Sequence, residues 1–255
     1  MLKFLRHIRK SLIMDGQFIR YLKYAIGEVI LVVIGILIAL QINNWNEARK
    51  LKNEERELLS NLEIEFDRKL RELESKNEGR FENIEDINVI LRMMADPPDE
   101  FQEADMMEVL EDISTWFYVN EEFSIIEMLF SSGKINTISN DSLKAKLIAW
   151  PDKMEEMLEE QRVLKDLVVH RINPLINSYL PQANMMNHFI SNFPEIFQKE
   201  NLKSAHLNDF DGLLRDEEFE NLISSKKLYL IINHEDSEIL INDAKAILEL
   251  IREEI

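Results

Sequence analysis

The chain contains no cysteine at all among its 255 residues. That excludes a disulfide scaffold, a thiolate nucleophile, a cysteine-ligated metal centre and lipid attachment through a thiol. Glycine and proline are scarce too, six of each. A chain so poor in turn-formers, and rich in Glu, Lys, Leu and Ile, favours long helices over a strand-and-turn fold. Clustered positive charge is lacking as well. The net charge is −18, and it is unevenly spread. Residues 1–42 carry six basic side chains (Lys3, Arg6, Arg9, Lys10, Arg20, Lys23) against Asp15 and Glu28. The rest of the chain carries the remaining 24 basic and 46 acidic side chains, a net of −22. A domain that acidic repels nucleic acid, whose affinity rests on clustered Lys and Arg. The same charge keeps a helical domain soluble and attracts basic partners.

What is present first is a long apolar run. Val29 to Leu40 is unbroken, and the stretch Tyr24 to Ile42 holds twelve Ile, Leu or Val side chains. Its 19 residues make about 28 Å of helix, close to the thickness of a hydrocarbon core. Those side chains favour insertion by about 4–7 kcal/mol together. One Glu at the bilayer centre costs about 3 kcal/mol and less near an edge, so insertion wins. Tyr21 and Tyr24 before the run and Trp45 after it suit the two interfacial belts. Gln41-Ile42-Asn43-Asn44 offers no small-residue cleavage pattern, which argues for a retained anchor.

Leu5, Ile8 and Leu12 share a helical face with Arg6, Arg9 and Lys10 beside it, a pattern for a helix lying on an anionic cytoplasmic leaflet. The count of Lys and Arg is slightly higher before the apolar run than after it. Both observations predict a single-pass protein of the inner membrane, N-terminus in the cytoplasm and the acidic domain in the periplasm. Within the run, Glu28, Val32, Gly35, Ala39 and Ile42 form one stripe, with Gly27 beside it. Three uses are open: a lipid-facing helix whose Glu28 snorkels to the headgroups, close packing of a second helix over the small residues, or a proton or ion path.

Residues 20–46, RYLKYAIGEVILVVIGILIALQINNWN, resemble the N-terminal anchor of an uncharacterised membrane-protein family of Bacteroidota. The matching positions are Tyr24, Gly27, Glu28, Gly35, Gln41, Asn43, Asn44, Trp45 and Asn46. Downstream, Ser132-Gly133-Lys134-Ile135-Asn136-Thr137-Ile138 is similar to a second, looser element of that family. The resemblance implies a membrane-anchored helical protein of unknown function, and it brings no catalytic residues.

Beyond the anchor, three long helices are expected, at about 45–95, 140–180 and 214–253. The first is marked by Leu51, Leu58, Leu62, Phe66, Leu70, Leu73, Phe81, Ile84, Ile87, Leu91 and Met94, with Gly79 as a bend and Pro97-Pro98 as its end. The second is marked by Leu143, Leu147, Trp150, Met154, Met157, Gln161, Leu164, Val168, Arg171, Leu175 and Tyr179, kinked at Pro151 and Pro174. The third is marked by Phe219, Leu222, Lys226, Tyr229, Asn233, Ser237, Leu240, Ala244, Ile247 and Ile251. Shorter helices are expected at 99–113 and 121–132, the latter closed by Gly133. Residues 114–119 read as either a helix end or a strand, and 181–212 as irregular with short helical pieces. The expected fold is therefore all-α, with a basic amphipathic segment at 1–23, a transmembrane helix at 24–42 and an acidic, coiled-coil-like helical bundle at 43–255.

No chemistry-bearing motif stands out. The five histidines, His7, His170, His188, His206 and His234, include no pair at the four-residue spacing of a helical metal site. His234-Glu235-Asp236 reads as a polar interruption of its helix, and His170-Arg171 as bundle residues paired with carboxylates. Met93-Met94, Met106-Met107 and Met185-Met186 read as core filling. No phosphate loop, nucleophile elbow or kinase signature occurs. No catalytic, metal or cofactor site is expected, and the partners are membrane lipid and either a protein partner or a second copy through the anchor and the stalk at 45–75. The function this supports is a membrane-anchored interaction module, scaffold or sensor-like. The alternatives are a membrane-anchored enzyme with a site assembled from distant helices, or an accessory subunit acting through Glu28.

Overall fold

The computed structural model describes residues 18–98, 100–121, 123–191 and 204–255. It is 86% helical, and the described residues contain no strand. The amphipathic segment around Leu5–Leu12 and residues 192–203 lie outside the described residues.

In order, the elements are α1 (Phe18–Ala95), α2 (Glu103–Ile113), α3 (Ser124–Ser131), a 3₁₀ turn (Lys134–Thr137), α4 (Asp141–Leu167), a π turn (Val168–Ile172), α5 (Asn173–Tyr179), α6 (Gln182–Ser191), α7 (Phe210–Leu214) and α8 (Glu217–Glu254). The chain divides into two compact units, residues 1–57 and Leu58–Ile255. In the first, the apolar run is exposed along its whole length. It belongs to the one described helix long and apolar enough to cross a membrane.

The second unit is the bundle. Its helix ends follow local chemistry. The Asn140 side chain accepts the Leu143 N–H at 3.0 Å to start α4, and Asp216 does the same for Phe219 N–H at 3.0 Å to start α8. Pro97-Pro98 follows the last turn of α1, and Gly133 takes the left-handed conformation (φ 71°) after α3. Residues 114–119 form neither helix nor strand; Ser114 and Thr115 close α2 in a turn, and the chain then continues irregularly toward α3.

Three expectations change. Gly79 is a place of close approach: a Cβ there would come within 2.4 Å of Phe117 Cε1. On α1 the bundle fully buries Lys69, Arg80 and Ile90, while Leu70 and Leu91 are half-buried against the cores and Phe81, expected inward, is 54% exposed. On the second long helix the buried stripe runs Leu164, Val168 and then Ile172, Ile176 and Leu180, one residue beyond Arg171, Leu175 and Tyr179. The π turn is the cause. The Asn173 N–H bonds to the Val168 carbonyl, five residues back, so one extra residue enters the helical phase and the stripe shifts by one. The wider turn also relieves the clash that Pro174 would impose on the preceding carbonyls.

The bundle has two apolar cores. One joins Leu58, Leu62, Phe66 and Leu73 of α1 to Phe123, Ile126, Leu147, Trp150, Met154 and Ile247. Phe66 meets Phe123 and Trp150 edge-on, at ring-centroid distances of 5.0 and 4.9 Å. Each such pair adds about 0.5–1.5 kcal/mol to the area buried. The other core joins Ile84, Ile87 and Ile90 to Met107, Leu110, Ile172, Ile176, Phe210, Phe219 and Leu230. Met106 and Met107 are buried in it, Met93, Met94 and Met185 pack against it, and Met186 is exposed.

Candidate functional site: a buried polar seam and the segment that crosses it

Between the two apolar cores lie Asn77, Arg80, Gln161, Asn233 and Ser237, while Glu65 and Lys69 are buried beside the first core and Asn83 and Lys226 beside the second. An irregular segment that crosses a helical bundle cannot pair its backbone with a neighbouring strand, so side chains must satisfy it. Residues 112–125 are served in this way. From α1, Asn83 Nδ2 donates to the Asp112 carbonyl (2.6 Å), Lys69 Nζ donates to the Asn120 carbonyl (2.7 Å), Glu72 accepts from Asn120 N–H (2.7 Å) and Glu65 accepts from Ile125 N–H (3.1 Å). From α4, Gln161 Oε1 accepts the Val119 N–H at 2.9 Å. Asn173 Nδ2 donates to the Ser114 carbonyl at 3.2 Å. Lys226 of α8, fully buried, donates to the carbonyls of Ile113 (2.6 Å), Thr115 (3.0 Å) and Asp112 (3.4 Å). Its ammonium therefore caps the C-terminal end of α2, where carbonyls lack helical partners and the helix dipole is negative.

Burial pulls the Lys226 ammonium down to about 7, while the carboxylates of Asp112 and Asp86 pull it back up. Burial first, and then the neighbouring Asp112, Glu82 and Glu108, push Asp86 up to about 6. Asp112 is raised as well, chiefly by burial.

Four other buried polar groups do not serve the crossing segment. Arg80, wholly buried, donates to Ser237 Oγ at 2.9 Å and to Met157 Sδ at 3.9 Å, and no carboxylate pairs with it among the described residues. Its Nε has no partner, and desolvation lowers its pKa to about 10. Asn233 donates to the Met157 carbonyl (2.7 Å), Ser237 to the Asn233 carbonyl (2.7 Å) and Asn77 to Glu238 (2.6 Å). The amide oxygens of Asn77 and Asn233 are buried without partners.

Beside the end of α2 is an open groove of about 290 Å³. Glu111, Ser114 and Thr115 line one side, and Asn173, Ile176, Asn177 and Met185 are among the residues lining the other. A second groove, about 380 Å³, runs between α1 and α8 and is lined by Asp67, Leu70, Lys245, Leu248, Glu249, Arg252 and Glu253. Arg252 closes part of it by reaching Glu63 (2.7 Å) and Asp67 (3.1 Å).

The histidines do not converge. His170 is exposed and bonds Asp166 at 2.9 Å, and the neighbouring Arg171, also exposed, pairs with Glu218 at 3.0 Å. Both have carboxylate partners, but on the surface of the bundle. His234 leaves α8 unbroken and packs against Phe81, ring centroids 6.2 Å apart. Among the described residues no group of three His, Asp or Glu side chains has the arrangement of a metal site. Gly27, Glu28, Val32, Gly35 and Ala39 all lie exposed on α1, and an added Cβ at Gly27 or Gly35 would meet nothing within 4 Å.

Sequence reasoning placed Lys226, Asn233 and Ser237 in the right register of α8 but missed Arg80 and Lys69. A signal was available: Leu73, Asn77, Arg80, Ile84 and Ile87 step by four and three, so phase alone puts Arg80 inward, whatever its polarity.

The molecule is thus a helical-bundle protein with one candidate membrane helix and a polar seam through its core. The chain belongs to the family of unknown function DUF6090, whose model matches residues 28–157, just over half of its length. The match runs from Glu28 to Met157 of α4, so Asp86, Asp112 and Arg80 fall inside it and Lys226 outside. No curated protein and no solved structure matches the chain.

Proposed function

We propose that this protein is a membrane-anchored helical interaction module, a scaffold or sensor-like domain held at the inner membrane by residues 24–42. The observation that carries the reading is the apolar run of α1, of which no residue is buried. Exposed to water, each large apolar side chain there would forgo about 1.5–3 kcal/mol of burial, which lipid supplies. The N-terminus lies in the cytoplasm and the bundle in the periplasm. The stripe of Gly27, Glu28, Val32, Gly35 and Ala39 is the face on which a second helix packs, because a helix can approach closely over Gly27 and Gly35. A second copy would pair along the part of α1 before Leu58, since Leu58, Leu62, Phe66 and Leu73 are used in the chain's own core.

Carbonate washing and C-terminal reporter fusions test the reading. The intact chain is expected in the membrane pellet, with a periplasmic reporter active and a cytoplasmic one silent. Release into the supernatant overturns the anchor; the reverse reporter pattern overturns the orientation. Disulfide crosslinking of a Gly35→Cys variant in the same membranes tests the stripe. A crosslinked dimer supports pairing of two copies through it, and monomer throughout argues against that.

A further inference from the structure

Lys226 reaches from α8 to the end of α2 and is sealed there. Its side chain is fully buried, and Nζ donates to the carbonyls of Ile113 (2.6 Å), Thr115 (3.0 Å) and Asp112 (3.4 Å). All three acceptors are neutral backbone groups, so the charge sits in the core without a carboxylate bonded to it among the described residues. The backbone that covers the nitrogen is that of residues 112–115, and hydrating the charge means lifting it. We propose that Lys226 is an acid-opened latch beneath the end of α2: residues 112–115 stay closed over the neutral amine, and proton uptake shifts them towards a lifted position in which the ammonium is hydrated. The inference goes beyond the anchor-and-scaffold reading and does not depend on it, because every residue involved lies in the bundle.

The closed site accepts the amine in either state, at different cost. An ammonium matches three donors to three acceptors. A neutral amine keeps two hydrogens, enough for Ile113 and Thr115, because the Asp112 carbonyl also has the Asn83 amide (2.6 Å) and the Thr115 hydroxyl (2.9 Å). The neutral form thus orphans no carbonyl, while the charged form forgoes hydration that three dipoles replace only in part. Asp112 of α2 and Asp86 of α1 act on the amine and favour its charge. On the other elements beside α8, Lys165 of α4, His170 and Arg171 of the π turn and Asp211 of α7 are exposed, where water screens them. Burial outweighs the two carboxylates and holds Lys226 at about 7, below its ordinary 10.5. Its contribution to the closed position is therefore complete above 10.5 and is lost as the pH falls through about 7. Asp86, pushed up to about 6, titrates below that window.

What lifts is one wall of the groove. Ser114 and Thr115 line it, with Ile176 and Met185 among the residues of the other side. Asn173, which also lines the groove, donates to the Ser114 carbonyl at 3.2 Å, and Asn83 holds the Asp112 carbonyl from α1. Both are amides that carry no titrating proton, so they draw the segment back at any pH and leave the balance to the lysine. The shape of the groove therefore follows acidity.

Hydrogen exchange of the full-length chain in detergent micelles tests the latch. In the closed position the Ser114 and Thr115 amides are bonded to the Leu110 and Asp112 carbonyls, at 3.0 and 3.1 Å. Hydroxide catalyses exchange, so an amide freed by a pH-independent opening exchanges about tenfold faster per pH unit. An opening that takes up one proton becomes about tenfold rarer per unit and cancels that rise. Exchange at Ser114 and Thr115 is therefore expected to climb up to about pH 7 and then to stay level to about pH 9. The amides of Leu147–Met157, in the other core, should climb throughout, and Lys226→Met should restore the ordinary climb at Ser114 and Thr115. A climb that continues past pH 7 in the parent overturns the proposal. So does a plateau that persists in Lys226→Met or is shared by Leu147–Met157. Should Lys226→Met lose its helical circular dichroism, carbon NMR of the parent chain labelled at lysine Cε decides. One lysine titrating near pH 7 supports the latch, and every lysine titrating near about 10.4 overturns it.

Discussion

Two buried cations, Lys226 and Arg80, look alike by exposure and differ in purpose. The Lys226 ammonium bridges three carbonyls, those of Ile113 and Thr115 at short range and that of Asp112, which Asn83 also serves. Arg80 has a hydroxyl and a thioether, and no carboxylate among the described residues. Buried ionic groups cost desolvation that only good partners repay. Opposite outcomes are therefore expected from the same substitution. Lys226→Met should destabilise the bundle by about 3 kcal/mol or more, because it orphans buried carbonyls. Arg80→Met should be neutral or stabilising by up to about 2 kcal/mol, because it removes an unpaired charge and leaves Ser237 bonded to the Asn233 carbonyl. Urea unfolding of the full chain in micelles checks both. A large loss in Arg80→Met would mean that the guanidinium has a partner function the packing does not account for.

At the scale of elements, the second long helix carries the clearest lesson. Its apolar stripe is legible up to Val168, since the spacing of Leu143, Leu147, Trp150, Met154, Met157, Gln161 and Leu164 is unbroken and every one of them is buried. Beyond it the stripe slips by one residue, because periodicity assumes a constant turn and the π turn adds one residue. A deletion separates the two regimes. Removing His170, with Pro174→Ala so that no proline blocks a regular turn, should convert the π turn to α and keep Ile172, Ile176 and Leu180 inward. Removing Glu159, equally exposed but in regular helix, should rotate everything beyond it by about 100°. The first variant is expected to melt within a few degrees of the parent and the second to lose cooperative melting, followed by circular dichroism. Equal damage from both would refute the register argument. The same reasoning explains what else was hidden on α1. Choosing by polarity picks Leu70 and Phe81, whereas helical phase picks Lys69 and Arg80, and the packing follows phase. The distant partners of those side chains, the Asn120 carbonyl for Lys69 and the Ser237 and Met157 side chains for Arg80, are far away in sequence, so no local pattern announces them. Gly79 is similar: its need for a missing Cβ comes from Phe117, 38 residues on.

On the scale of the whole bundle, the all-helical fold and the apolar run were legible, and the division of the interior was not. Reading α1, the second long helix and α8 as matched stripes suggests one continuous core. The structure instead places a polar layer across the middle: Asn77 and Arg80 from α1, Gln161 from α4, Asn233 and Ser237 from α8. The Phe66–Trp150 core lies on one side and the Ile87–Phe219 core on the other. Apolar burial is what couples distant parts of a bundle into one cooperative unit, and a layer that buries polar atoms without full partners contributes little of it. The two halves should therefore open separately even though α1 and α8 pass through both. Native-state hydrogen exchange is expected to sort the slow amides into two groups. One would be centred on Leu147–Met157 and Leu240–Ile251, the other on Ile84–Ile90 and Phe219–Leu230, each with its own opening free energy and urea dependence. Arg80→Met, by making the layer apolar, should draw the two groups together. If all slow amides of the parent protein already shared one opening, the seam would be only a chemical boundary inside one cooperative unit.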